Sequence, residues 1–150
     1  MKNMLISTVI LATGICPLGR AQAHQPVANQ SAKQPENSQV ERGKYIVEDL
    51  SVCEQCHTPR DSNGMPEHSH RLEGAPVWLK SAEPVADWPL QAPRIGGSPP
   101  GTDEEMVTLL TTGVWRDGKY LRPPMPQFRM SRPDAEAVIA YLKSVKNQPN

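Results

Sequence analysis

Cys53-Glu54-Gln55-Cys56-His57 is the segment whose residue types and spacing point to chemistry. Two thiols three residues apart, followed at once by an imidazole, match what covalent haem attachment demands. The thiols add across the two vinyl groups of the porphyrin as thioethers. The next residue is then held under the iron, where its imidazole binds as the proximal ligand. At this chain's own cysteine and histidine frequencies the pattern arises by chance roughly 0.002 times, so it is specific. Other chemistries also use paired cysteines. A disulfide across a two-residue gap closes a tight, strained and reducible loop. A thioredoxin-like redox pair wants a βαβ setting, and none is readable here. A zinc site needs two further ligands, and only His24, His68 and His70 remain, with no second cysteine pair. The sequence predicts one covalent c-type haem on Cys53 and Cys56, with His57 as an iron ligand.

An electron-carrying haem takes a sixth ligand from the protein, and methionine and histidine are the candidates. Met125 lies in Arg122-Pro123-Pro124-Met125-Pro126. Prolines on both sides fix φ and stiffen the loop, which would hold a thioether on iron with little reorganisation. Met130, just before a predicted helix, is the rival. Met106 lies on a helical apolar stripe and reads as core filler. Met65 follows His57 too closely to reach the far face of the haem. His68 or His70 would give a bis-histidine iron, but Glu67-His68-Ser69-His70-Arg71 reads as solvated surface. A peroxidase or ligand sensor keeps the sixth position open, and the proline-bracketed Met125 argues against that.

Three helices must position these groups. The first is predicted over 40–51, with Gly43, Ile46, Val47 and Leu50 on one face and Ser38 with Glu41 as a capping box. The second is predicted over 103–112. Thr102 and Glu105 form its capping box, Met106, Leu109 and Leu110 its buried stripe, and Gly113 its stop. The third is predicted over 132–146, capped by Ser131 and tolerating Pro133 in its first turn. Val138, Tyr141, Leu142 and Val145 share its inner face, and Lys143 and Lys146 suit its negative end. Residues 58–101 are dense in proline and glycine without a sustained period. So long a loop in a compact domain needs a role, and wrapping a cofactor is one. The expected fold is all-α, a helical wrap around one covalently bound haem with a long Pro/Gly-rich loop.

The chain has 150 residues, 16 of them proline and one phenylalanine, enough for one domain with a thin apolar core. Lys2, the apolar run from Met4 to Ile15 and Ala21-Gln22-Ala23 read as a signal peptide over 1–23, cleaved after Ala23. The run is too short to span a membrane, which needs about 20 apolar residues. Periplasmic export is therefore expected, with no transmembrane segment in the mature chain. Residues 24–39 read as a flexible polar leader, 40–146 as the folded domain and 147–150 as a tail. Cleavage takes the net charge from zero to −2, which suggests neither nucleic acid nor an anionic membrane as partner.

Gly43 and Tyr45 in a first helix, Cys53/Cys56/His57, Pro123-Pro124-Met125-Pro126 and a last helix ending Ala140-Tyr141-Leu142-Lys143 together resemble the monohaem class I cytochrome c domain. The resemblance spans about residues 40–146. The CHTPRD continuation (His57 to Asp61) and the RPPMP loop are similar to those of bacterial periplasmic cytochromes and of cytochrome domains in dehydrogenase complexes. Glu48–Val52 is a little long against the family pattern. The resemblance implies crossing first and last helices, iron ligands at His57 and Met125, and single-electron transfer between a dehydrogenase or quinol-oxidising complex and a downstream acceptor. A fixed subunit of a dehydrogenase complex is the alternative to a free carrier. Family likeness also implies that the Met125 loop borders the exposed haem edge. There Arg116, Lys119, Arg122, Arg129 and Arg132 stand against Asp117 alone, a local charge of +4 suited to an acidic redox partner. Local pairing of these arginines with Asp117, Asp134 or Glu136 competes with that role.

Overall fold

The computed structural model describes residues 36–145. Helix α1, Glu36–Tyr45, runs straight into a π-helical turn, Ile46–Leu50. After it come a single helical turn α2, Glu54–His57, a 3-10 turn at His68–His70, and a two-stranded antiparallel pair, β1 (Ala75–Pro76) with β2 (Gln91–Ala92). Helices α3, Asp103–Thr112, and α4, Arg132–Ser144, complete the described part. The expected all-α class holds, since the strands are two residues each. The expected signal segment 1–23 and its cleavage site, the leader up to residue 35 and the tail 147–150 lie outside the described residues.

Two boundaries around α1 differ from expectation. Residues 36–39, read as flexible leader, are helical, so Ser38 and Glu41 lie inside α1 rather than forming its cap. Leu50, expected on the inner face, is 62% exposed. The cause is the π turn: it takes more residues per revolution than an α-helix, so the face carrying Gly43, Ile46 and Val47 has rotated away by Leu50. That turn absorbs the extra length noted in Glu48–Val52.

α3 begins and ends, and α4 begins, as their sequences dictate, while α4 stops at Ser144, short of the expected 146, and Lys146 lies outside the described residues. Thr102 accepts from the Glu105 amide at 3.3 Å, and Glu105 accepts from the Thr102 amide at 2.8 Å. Gly113, at φ 75°, supplies the left-handed residue that closes α3. The Ser131 hydroxyl accepts from the Asp134 amide, and Pro133 sits in the first turn of α4. Met106, Val107, Leu109 and Leu110 of α3 pack with Ala135, Val138, Ile139, Tyr141 and Leu142 of α4 and with Ile46 and Val47.

The crossing of α1 on α4 depends on Gly43. A Cβ there would lie 1.9 Å from the Ala137 carbonyl oxygen and 2.7 Å from Tyr141 Cβ. Only a hydrogen at this position lets the two backbones meet. Arg42 bolts the same pair of helices by donating to Asp134 at 3.0 Å.

The 58–101 stretch has no long element, yet it contributes to the core. Leu72 is fully buried, and Ala75, Ala92 and Ile95 are nearly so. The Leu72 carbonyl accepts from both Ile95 and Gly96 amides at 3.0 Å, so the two halves of the loop are tied to each other.

Candidate haem-binding site

Cys53 caps α2, and Cys56 and His57 lie within it. Spacing of i, i+3 and i+4 on one helical turn puts all three side chains on a common face. The turn is fastened at both ends. The Cys53 amide donates to the Val47 carbonyl of the π turn at 3.0 Å, and the Gly74 amide donates to the His57 carbonyl at 2.8 Å. Next to His57, the buried Thr58 hydroxyl accepts from the Leu72 amide at 3.0 Å. On the solvent side the Trp78 indole donates to the Gln55 carbonyl at 2.8 Å, and the Arg60 guanidinium stacks over that indole at 4.5 Å.

His57 is 6% exposed, and its Nδ1 lies 2.7 Å from the Pro93 carbonyl oxygen. A carbonyl can only accept, so Nδ1 carries the proton and Nε2 keeps its lone pair. Burial pushes the imidazole below its ordinary value, and the Pro93 carbonyl offsets part of this. The ring is therefore neutral near pH 7, the form that binds a metal through Nε2. Pro93 escaped the sequence reading because its contribution is a backbone oxygen.

Cys53 and Cys56 are not joined in a disulfide. Burial pushes the Cys53 thiol up to about 11, against the opposing effect of a backbone hydrogen bond. A thioredoxin-like pair needs a thiol shifted downward to act as a nucleophile, so Cys53 is unsuited to that chemistry. Among the described residues no group of three or more His, Cys, Asp or Glu side chains is arranged to hold a metal ion, and His24 lies outside the described residues.

Met125 is half-buried in the segment joining α3 to α4. That segment is held by the Leu121 amide on the Gly113 carbonyl and the Met130 amide on the Leu110 carbonyl. Met130 packs against the main core, and Met106 is buried within it. Met65 is 62% exposed. His68 is exposed, whereas His70 is partly buried and pairs with Glu73 at 3.0 Å, so the 67–71 stretch expected as solvated surface is so only in part. The basic rim is partly engaged. Arg132 binds both Glu104 and Glu136, Lys119 lies 3.7 Å from Asp117, Arg122 lies 3.9 Å from Asp87, and Arg116 stacks on Trp115.

The family model described as Cytochrome c matches residues 40–146. The chain belongs to the cytochrome c family. Similar proteins include the fructose dehydrogenase cytochrome subunit of Gluconobacter japonicus, 30% identical over 119 residues, 73% of this chain and 22% of that protein. The cytochrome c subunit of a quinone alcohol dehydrogenase from Gluconobacter oxydans is 30% identical over 91 residues, 59% of this chain and 18% of that protein. A nicotinate dehydrogenase component of Pseudomonas putida is 27% identical over 135 residues, 84% of this chain and 10% of that protein. The chain thus spans about a fifth or less of the length of these relatives. Family membership implies a covalently bound c-type haem, and the residues present fit one: two thiols free of any disulfide and a neutral, oriented imidazole share one helical face. No helix among the described residues is long and apolar enough to cross a membrane.

Proposed function

We propose that this cytochrome c domain transfers single electrons through one haem that Cys53 and Cys56 would bind covalently and whose iron His57 and Met125 would ligate. The observation that carries the reading is His57: its Nδ1 is committed to the Pro93 carbonyl, so Nε2 is free and aimed by a fixed ring. When bound, the haem supplies an iron that cycles between ferrous and ferric states. The protein's part is to hold that group still. Cys53 and Cys56 anchor it, the Gly74 contact fixes the His57 backbone, and the prolines around Met125 limit movement of the thioether. The long loop 58–101 completes the wrap, and its Leu72 and Ile95 contribute apolar bulk that keeps water out.

The test is covalent attachment. In a host that attaches haem to exported proteins, the chain should keep its haem through denaturing electrophoresis and acid-acetone extraction. Replacing both Cys53 and Cys56 with Ser should release it. Haem that washes out of the unaltered protein would refute the assignment.

The setting is periplasmic, with the electron received from a dehydrogenase or a quinol-oxidising complex. A fixed place within a dehydrogenase complex is the second reading, favoured by relatives that are themselves dehydrogenase cytochrome subunits. Purification at native abundance separates the two: a carrier elutes alone, a fixed component with its dehydrogenase.

A further inference from the structure

Four side chains from the π turn, α2, the 58–101 loop and α4 meet beside the haem-attachment turn. Arg71 binds Glu48 of the π turn and Glu54 of α2, the residue directly after Cys53. The Tyr141 hydroxyl of α4 donates to the same Glu48, and the Arg71 guanidinium lies 5.9 Å over the Tyr141 ring. The side chains of Glu48, Glu54 and Arg71 keep only 24%, 16% and 27% of their surface, so water and salt screen them weakly. Burial alone would raise the Glu48 carboxyl, but the Tyr141 hydroxyl and the Arg71 guanidinium outweigh it and hold it below its usual range. Burial, reinforced by Glu48, pushes the Tyr141 phenol up to about 12, so it stays a neutral donor. Two carboxylates and one guanidinium leave the cluster with one net negative charge.

We propose that Arg71 is a positioning residue that fixes this negative cluster against the haem-attachment turn, where it favours the ferric iron and sets the reduction potential. The inference rests on haem attachment at Cys53 and Cys56. A ferric haem carries one positive charge more than a ferrous one. A fixed negative charge in a poorly screened site therefore stabilises the oxidised form. Arg71 halves what would otherwise be a doubly negative site and ties its two carboxylates to one place. Without it the carboxylates repel each other and the haem turn carries the full negative charge.

The signs of the shifts separate this role from simple structural support. Loosening the fold lets water reach the haem, and water also favours the ferric form, so structural damage lowers the potential whichever residue is changed. Electrostatic tuning predicts opposite signs. In the purified holoprotein, Glu48→Gln and Glu54→Gln should each raise the ferrous-to-ferric ratio several-fold at fixed ambient potential, tenfold corresponding to about 59 mV for a one-electron couple. Arg71→Gln should lower it. Asp49→Asn removes the same charge from an exposed position on the π turn and should move it little. Absorbance of the low-spin haem is recorded for each variant. Shifts of one sign for all three cluster variants, no shift beyond that of Asp49→Asn, or loss of the low-spin spectrum in both carboxylate variants would reduce the cluster to a fold contact and overturn the proposal. Absence of covalent haem from the unaltered protein would instead defeat the reading beneath it.

Discussion

Met125 and Met130 are five residues apart and chemically identical, yet their surroundings give them different work. Met130 packs against the core formed by α3 and α4, whereas Met125 lies outside that cluster between prolines. Met130→Ala should therefore lower stability by about 2 kcal/mol through a lost core side chain, with the haem spectrum unchanged. Met125→Ala should leave stability to denaturant nearly intact and open the iron to carbon monoxide. Absorbance with and without carbon monoxide, alongside urea unfolding, checks both. Binding of carbon monoxide only in the Met130 variant would exchange the two roles. At this scale the sequence was most informative where chemistry fixes spacing, as in Cys53, Cys56 and His57. It was silent on Pro93 and on Arg71, because a backbone oxygen has no residue signature and an ion pair over 17 or 23 positions leaves no local pattern.

Between elements, the crossing of α1 on α4 sets the frame that holds α2. Gly43→Ala would gain about 1 kcal/mol in helix propensity. It would also drive a methyl group into the Ala137 carbonyl at 1.9 Å, a backbone contact that cannot yield by rotating a side chain. The clash wins, and the urea midpoint should fall by the equivalent of about 3 kcal/mol. Arg42 acts at the same junction. The Arg42 guanidinium holds the Asp134 carboxyl below its ordinary 3.8, so the pair stabilises the fold above that pH and loses its effect as pH falls through the lowered value. Both side chains are substantially exposed, so Arg42→Gln should cost about 0.5 kcal/mol at pH 7. The difference should vanish in unfolding curves taken well below pH 3.8. Capping chemistry made α3 and the start of α4 legible in detail, because Thr102, Glu105, Gly113 and Ser131 act on neighbours a turn away. The start of α1 and the turn after it were not. The expected capping box of Ser38 and Glu41 does not form, because both residues lie inside α1, and periodicity assumes an α-helical pitch that Ile46–Leu50 does not keep.

Over the whole molecule, charge is unevenly spread. The segment from Arg116 to Arg132 carries a local +4, but Arg132 is neutralised by Glu104 and Glu136. Of the other expected rim residues, Lys119 lies 3.7 Å from Asp117 and Arg122 lies 3.9 Å from Asp87, so the rim's unmatched positive charge rests mainly on Arg116 and Arg129. If an acidic partner docks there, its electron-transfer rate should fall as salt rises, since exposed charges are screened beyond about 8 Å at physiological ionic strength. Arg129→Glu should slow the rate further, and Lys119→Glu should do the same, with little change in the haem spectrum. Stopped-flow rates across a salt series decide this, and a rate indifferent to salt and to both reversals would make the rim ordinary surface. Composition predicted a thin core for this length. Its apolar loop residues Leu72, Ala75, Ala92 and Ile95 make up part of the shortfall, which periodicity could not reveal because they belong to no long element.

The widened turn at Ile46–Leu50 also bears on how this chain tolerates changes in length. A π turn holds one residue more than an α-helix needs between the same two flanks. It is slack stored in the thread, placed between the helix that carries Gly43 and the turn that carries Cys53. Removing one residue there lets the turn wind down to α-helical pitch with both flanks still in phase. Adding one elsewhere between Gly43 and Cys53 has no such outlet and would twist one flank against the other. The junction is therefore a natural site for a one-residue deletion without disturbing either neighbour.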